Sequence, residues 1–302
     1  MLGGGKILAI VVIYNGLHWI DRCLSSLSNS TIPVDIIVID NGSTDGTQNR
    51  IKAYCPQVIF YQSPRNLGFG KANNIGMLYA YLLEYDYVYL LNQDAWVYSD
   101  TIEKLVLASE NNREYGILSP LQIQANEKHF DYWFGMGAFG KPGNTCSVED
   151  YLASINTDKV LVVDDILAAN WLITKDCLNL VGCFSPTFPH YGEDNNYAMR
   201  VHHWDLKIGV VPSCRAVHDT EFRQRTKAKE MHEVYIGGLL NLSSGTSGFN
   251  VKLRSTIHWA FMAFRKYKSF APLKNLCKTL FDLNNIRHNC HVSLNEKGAF
   301  LI

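Results

Sequence analysis

The feature that most constrains this chain is an alternation repeated through its first 120 residues. Short apolar runs at 7–14, 36–40, 58–62, 87–92 and 116–119 are separated by amphipathic stretches at 18–28, 44–54, 70–83 and 99–111. The runs are rich in β-branched and aromatic residues and show no polar alternation, as expected of strands covered on both faces. Strand-helix-strand order of this kind predicts an α/β domain with a mostly parallel, doubly wound sheet. In such sheets ligands bind beyond the carboxyl ends of the strands. Polar residues gather at those ends: Tyr14-Asn15, Asp40-Asn41-Gly42-Ser43 and Asn92-Gln93-Asp94.

The 302 residues suffice for one large domain with a helical appendage. The expected division is 1–225, with halves at 1–120 and 121–225, followed by a helical region at 226–302. Hydrophobic residues at 47% and charged residues at 19% exclude a disordered chain, and a net charge of +0 gives no reason to expect nucleic acid. The eight cysteines form no C-x-x-C pair and no zinc-spaced cluster, which fits reduced thiols in the cytoplasm. The apolar run after Lys6 is too short for a membrane span and lacks a cleavage site, so it reads as a buried strand.

Several segments carry candidate chemistry, each beside a plainer alternative. Asp40 can accept a hydrogen bond from a base N–H, or it can simply belong to a capped turn with Ser43. The stretch from Arg65 to Asn74 has glycines, amides and the cations Arg65 and Lys71, which suits an anionic phosphate; a solvated turn is the alternative. Asn92 and Asp94 end a strand, where a carboxylate can hold a divalent cation bridging phosphates. Glu193 and Asp194 precede a helix expected at 194–203, either as its caps or with one of them as a general base. His218, just past a strand expected at 207–211, is a metal or phosphate ligand or an ordinary histidine. The aromatics Tyr132, Trp133, Phe134 and Trp171 either line an acceptor wall or pack a core, and glycines run from Gly135 to Gly143.

In order and spacing, Val11-Val12-Ile13-Tyr14-Asn15, Ile39-Asp40-Asn41-Gly42-Ser43-Thr44-Asp45-Gly46-Thr47, Asn66-Leu67-Gly68-Phe69-Gly70-Lys71-Ala72-Asn73-Asn74, Leu90-Leu91-Asn92-Gln93-Asp94 and Tyr191-Gly192-Glu193-Asp194 resemble family 2 glycosyltransferases. The resemblance covers about residues 6–220 and is to the bacterial rhamnosyltransferase and galactofuranosyltransferase-like branch, which builds cell-surface polysaccharide. It implies the GT-A nucleotide-diphospho-sugar transferase fold and inverting transfer from a UDP- or dTDP-linked sugar. It also implies donor contacts at Tyr14, Asn15, Asp40, Asn41, Ser43, Arg65, Asn66, Gly68, Lys71 and Asn92. A Mn²⁺ or Mg²⁺ cofactor at Asn92, Asp94 and His218, and Asp194 as base with Glu193 beside it, follow from the same resemblance. Asn92 departs from the first aspartate of the family's D-x-D motif and removes one charge from the metal site. Asn195-Asn196 stand where the branch often has a further acid.

The acceptor is expected to be a saccharide or lipid-linked saccharide, with Trp133 and Trp171 as acceptor contacts. Residues 251–288 carry eight cations against one acid, Asp282, interleaved with aromatics. Such basic helices suit peripheral contact with the cytoplasmic membrane face, or they form a lid on the catalytic domain. A non-catalytic nucleotide-sugar or carbohydrate-binding protein and a nucleotidyltransferase remain as rival functions. The latter lacks a glycine-rich loop after the first strand.

Overall fold

The computed structural model describes residues 5–140, 147–188, 190–220 and 226–301. The first half contains β1 (Ile7–Ile13), α1 (Ile20–Ser28), β2 (Asp35–Asp40), α2 (Thr47–Tyr54), β3 (Ile59–Gln62), α3 (Phe69–Leu82) and β4 (Tyr87–Asn92). Next come β5 (Ala95–Val97), α4 (Thr101–Asn111), β6 (Tyr115–Ile123), α5 (Tyr132–Phe139), α6 (Val148–Ser154), β7 (Leu161–Val163), β8 (Asn170–Thr174) and α7 (Lys175–Val181). The remainder is α8 (Glu193–His203), β9 (Lys207–His218), α9 (Lys227–Ser243), α10 (Phe249–Tyr267), α11 (Ala271–Phe281) and α12 (Leu283–Asn295).

Nine strands form one sheet of order β3-β2-β1-β4-β8-β6-β9-β5, with β7 also paired to β9. The expected parallel winding holds for β3-β2-β1-β4. The chain winds outward from β1 through β2 and β3, then crosses to β4 on the other side, so the strand order reverses between β1 and β4. That reversal leaves a crevice at their carboxyl ends. Beyond β4 the sheet is mixed, which departs from the expectation. The segment 164–169 lies along the carboxyl rim, where Ala169 C=O accepts Asn92 N–H (3.0 Å). From there β8 descends antiparallel to both β4 and β6.

Alternate strand residues feed two cores, as the period-2 pleat requires. Ala9, Val11 and Ile13 pack with Cys23, Leu24 and Leu27 of α1, Ile51 of α2 and Leu105 of α4. On the other face, Leu8 and Ile10 pack with Met77 and Ala80 of α3, Leu178 of α7 and Tyr197 of α8. Each such aliphatic contributes about 1.5–3 kcal/mol of burial, an upper estimate.

The strand expected at 207–211 continues to His218. Its pairing with β6 shifts register where Pro120–Val211 gives way to Leu121–Arg215. Pro212 has no N–H for the ladder, and the bulge it sits in carries β9 onward to put His218 at the rim. Helices α9, α10 and α12 pack around Phe188, Ile236, Leu239, Leu242 and Ile286. The chain then returns to the main domain: Cys183 N–H donates to Ala299 C=O (2.8 Å) and Leu301 joins the larger core. The domain boundary expected at 225, Gly143 and Cys146 lie outside the described residues. Among the described residues every cysteine is free; Cys23, Cys177, Cys183 and Cys214 are buried. No described helix is long and apolar enough to cross a membrane.

Candidate active site

The loops after β1, β2 and β3 meet in a lattice of polar side chains. Asn15, at φ +51°, donates its backbone N–H to Ser43 Oγ (2.9 Å), and its Oδ1 accepts Thr44 N–H (2.9 Å). Asn41 Oδ1 accepts Leu67 N–H (2.7 Å), while its Nδ2 donates to Asn66 Oδ1 (3.0 Å). Asn66 Oδ1 also accepts Gly68 N–H (2.8 Å). Gly42, at φ +85°, lets the β2 and β3 loops touch: a Cβ there would lie 3.0 Å from the Arg65 carbonyl carbon.

Asp40 is 0% exposed, and its oxygens accept Ser43 N–H (3.2 Å) and Gln48 Nε2 (2.7 Å). In this arrangement Asp40, Asn41, Ser43 and Asn66 build the loops; the expected direct contacts to a base or ribose are not presented to solvent by Asp40, Asn41 or Ser43. Tyr14, Asn15, Thr44, Arg65, Asn66 and Lys71 are exposed on this rim. Gln93, to which no role was expected, clips β1 to β4: its Oε1 accepts Tyr14 N–H (2.9 Å) and its Nε2 donates to Tyr14 C=O (3.2 Å).

A second cluster forms where β4 and β9 end. His218 Nε2 lies 3.4 Å from Asp94 Oδ1 and 3.5 Å from Asn92 Nδ2. On the ring's other side, Nδ1 lies 3.5 Å from Asp131 Oδ2. The three residues expected together are therefore together, and Asp131 is an addition that the sequence reading missed. Its signal was a lone aspartate before Tyr132-Trp133-Phe134. It caps α5, with Oδ1 accepting the N–H groups of Trp133 and Phe134 (2.9 Å each), and Thr220 Oγ1 donates to Oδ2. Burial alone would lower the His218 pKa, but the Asp131 and Asp94 carboxylates facing its ring raise it to about 9. Asp131 is held below its ordinary value: burial opposes this, and the His218 and Thr220 contacts prevail.

The third cluster starts α8. Gly192, at φ +84°, makes the turn into Glu193 and Asp194, and a Cβ on it would meet Ile236 of α9 at 2.5 Å. Burial raises the Asp194 carboxyl to about 6, with the Asp165 charge adding to the rise. Burial and then Asp194 lift Glu193 to about 7, and Glu193 Oε2 is buried without a hydrogen-bond partner among the described residues. Asp165, also raised by burial, accepts Asn195 Nδ2 and Ile166 N–H. The rim segment joins this cluster to the second one. Asp165 accepts from Asn195, the neighbour of Asp194, and four residues on Ala169 C=O accepts Asn92 N–H (3.0 Å).

The two expected acceptor aromatics separate. Trp171 on β8 is 0% exposed, stacked on Phe184 (6.4 Å) and beside Tyr197 (5.9 Å); it is a core residue out of reach of any acceptor. Trp133 is 44% exposed, with Lys229 of α9 over its ring (4.8 Å). Tyr191 and His232 add exposed or half-buried rings on the same α8–α9 side. A cavity of about 920 Å³ between the end of α3 and α12 opens at the opposite end of the sheet, beside Tyr85 and Lys175, and none of the candidate residues line it.

A crevice at a β1/β4 switch point, with a carboxylate and histidine at its rim, is compatible with many nucleotide-binding enzymes. The sequence comparison narrows it: residues 8–141 match the model of glycosyl transferase family 2. Glycosyltransferase GlyA of Streptococcus pneumoniae is 31% identical over 108 residues, which is 35% of this chain and 15% of GlyA. The N-acetylglucosaminyl-diphospho-decaprenol L-rhamnosyltransferase of Mycobacterium tuberculosis is 39% identical over 66 residues, 22% of each chain. The aligned parts thus span a small share of both relatives. The fold also matches S. aureus TarS 1–349 in complex with UDP-GlcNAc at a TM-score of 0.55 and 14% identity, covering 98% of this chain and 90% of that one. The likeness shows a GT-A α/β fold over the described chain.

Proposed function

We propose that the protein is an inverting glycosyltransferase that moves a sugar from a nucleoside diphosphate sugar to an acceptor hydroxyl. The observation that carries this reading is the rim segment 165–169, which accepts from Asn195 beside Asp194 at one end and from Asn92 N–H at the other. Donor binding is supported by the UDP-GlcNAc complex of the TarS fold neighbour, and a rhamnosyl donor by the mycobacterial relative. The acceptor is proposed to be a growing surface polysaccharide or its lipid-linked form.

Asp94, His218 and Asn92 suit a Mn²⁺ or Mg²⁺ ion: one carboxylate, one imidazole and one amide leave coordination positions for diphosphate oxygens. Among the described residues no three His, Cys, Asp or Glu side chains form a complete cage, so the donor must finish the set. An ion held by these residues would offset the charge that develops on the departing diphosphate. Asp131 fixes the His218 ring from behind, as carboxylates commonly do for ligating histidines.

Asp194 takes the proton from the acceptor hydroxyl as that oxygen attacks the anomeric carbon. The C–O bond to the diphosphate breaks as the new bond forms, and the electron pair leaves with the diphosphate. With its carboxyl raised to about 6, Asp194 is mostly ionised at neutral pH yet more basic than an ordinary aspartate. Trp133 offers a ring face to the acceptor sugar. The test is release of nucleoside diphosphate from a panel of UDP- and dTDP-sugars, with and without oligosaccharide acceptors. Acceptor-dependent release with inversion at the anomeric carbon supports the reading; binding of donors without turnover on any acceptor overturns it.

A further inference from the structure

The last helices carry a surface that the proposed chemistry does not use. On α10, Val251, Trp259, Phe261 and Met262 are 59%, 42%, 51% and 52% exposed, while Lys252, Thr256, Ala260 and Ala263 on its other face are buried. Arg254, His258 and Arg265 share the exposed face. On α11, Phe270, Lys274, Cys277 and Phe281 follow the i, i+4, i+7, i+11 spacing of one helical stripe. Phe270 is 75% exposed and Phe281 95%. A globular surface gains nothing from holding phenylalanine rings in water, so rings grouped this way mark a contact face.

The charge identifies the partner. Lys266 is engaged by Glu230 at 3.6 Å. Arg254, Arg265, Lys268, Lys274 and Lys278 have no ion-pair partner among the described residues. A second copy of this chain set on the same face would bring like charges together. An anionic bilayer supplies both what the rings and what the cations need. Beside the stripe, Val234, Gly237, Trp259, Met262 and Ala263 line an apolar groove of about 330 Å³ between α9 and α10, with room for part of a lipid chain.

We propose that the exposed faces of α10 and α11 dock the protein on an anionic lipid surface. This goes beyond the sugar-transfer reading and stands whether or not that reading holds. The test is co-sedimentation of the full chain with phosphatidylcholine vesicles and with vesicles containing phosphatidylglycerol. Wild type should partition at least about tenfold more onto the anionic vesicles, and added salt should weaken that binding. The double variants Phe270→Ser/Phe281→Ser and Lys274→Glu/Lys278→Glu should each reduce partition about tenfold while keeping wild-type circular dichroism. If either double variant loses helix signal, the single variant Phe281→Ser, at a nearly fully exposed site, takes its place. Absence of vesicle binding, equal binding to neutral vesicles, or binding unaffected by these changes overturns the proposal. So does a wild-type dimer in sedimentation velocity that Phe281→Ser dissociates without altering vesicle binding.

Discussion

Replacing Asp194 with asparagine separates chemistry from scaffold. The Asp194 carboxyl moves from 3.8 to about 6 because it is buried beside Asp165. At pH 7 about ten-elevenths of it is ionised, and at pH 5 about one-eleventh, so base-assisted transfer should fall about tenfold between them. A raised folded pKa also means that the folded protein binds the proton more tightly than the unfolded chain. That stabilisation is complete below pH 3.8 and is lost as the pH rises through about 6. The shift corresponds to a ceiling of about 3 kcal/mol. The variant should therefore lose about 10²–10⁴-fold in kcat. At pH 7 it should melt no lower than wild type, because a buried charge has been removed. Rates at saturating donor and thermal melts, both at pH 5 and pH 7, read the two effects. Near-normal kcat in the variant, or a flat wild-type rate between pH 5 and pH 7, would refute the base assignment.

Other substitutions probe the supporting structure. Glu193→Gln should stabilise the fold at pH 7 by about 1–3 kcal/mol and flatten the loss of stability that runs from pH 4.5 to about 7, as read by denaturant titration at several pH values. Gly42→Ala should cost about 1–3 kcal/mol, since it strains a left-handed turn and presses on the Arg65 backbone; unchanged stability would show that the loops can part. Trp171→Ala should cost about 3–5 kcal/mol by opening a cavity, whereas Trp133→Ala should leave the melting temperature unchanged and raise the acceptor KM, and a reversed pattern would exchange their roles.

Much of this arrangement was legible before any coordinates. The runs that became β1 to β4 are long, apolar and separated by helices, so period and order alone gave the parallel half-sheet and its polar rim. Asn92, Asp94 and His218 could be grouped only through the family resemblance, because 126 residues separate Asn92 from His218. The sequence concealed β8 because Asn170–Thr174 is short, and its antiparallel entry depends on a rim segment with no periodic pattern. Asp131 was hidden for a similar reason: a lone aspartate acquires its role only when α5 and β9 meet. Asn41 and Ser43 were read as ligand contacts because a sequence shows an amide or hydroxyl without showing its partner. Folding gives those groups to neighbouring loops. Trp171 failed as an acceptor contact because an aromatic beside a strand edge reads the same whether it faces a cleft or a core.

The most direct measurement is calorimetric titration of UDP and dTDP into wild type and Asp94→Ala, each with Mn²⁺ and with EDTA. The predicted result is that one nucleotide binds in a metal-dependent way to wild type, and that EDTA and Asp94→Ala each abolish that binding. If neither nucleotide binds with or without metal, or if binding is indifferent to Asp94, the donor site at the β1/β4 rim is contradicted.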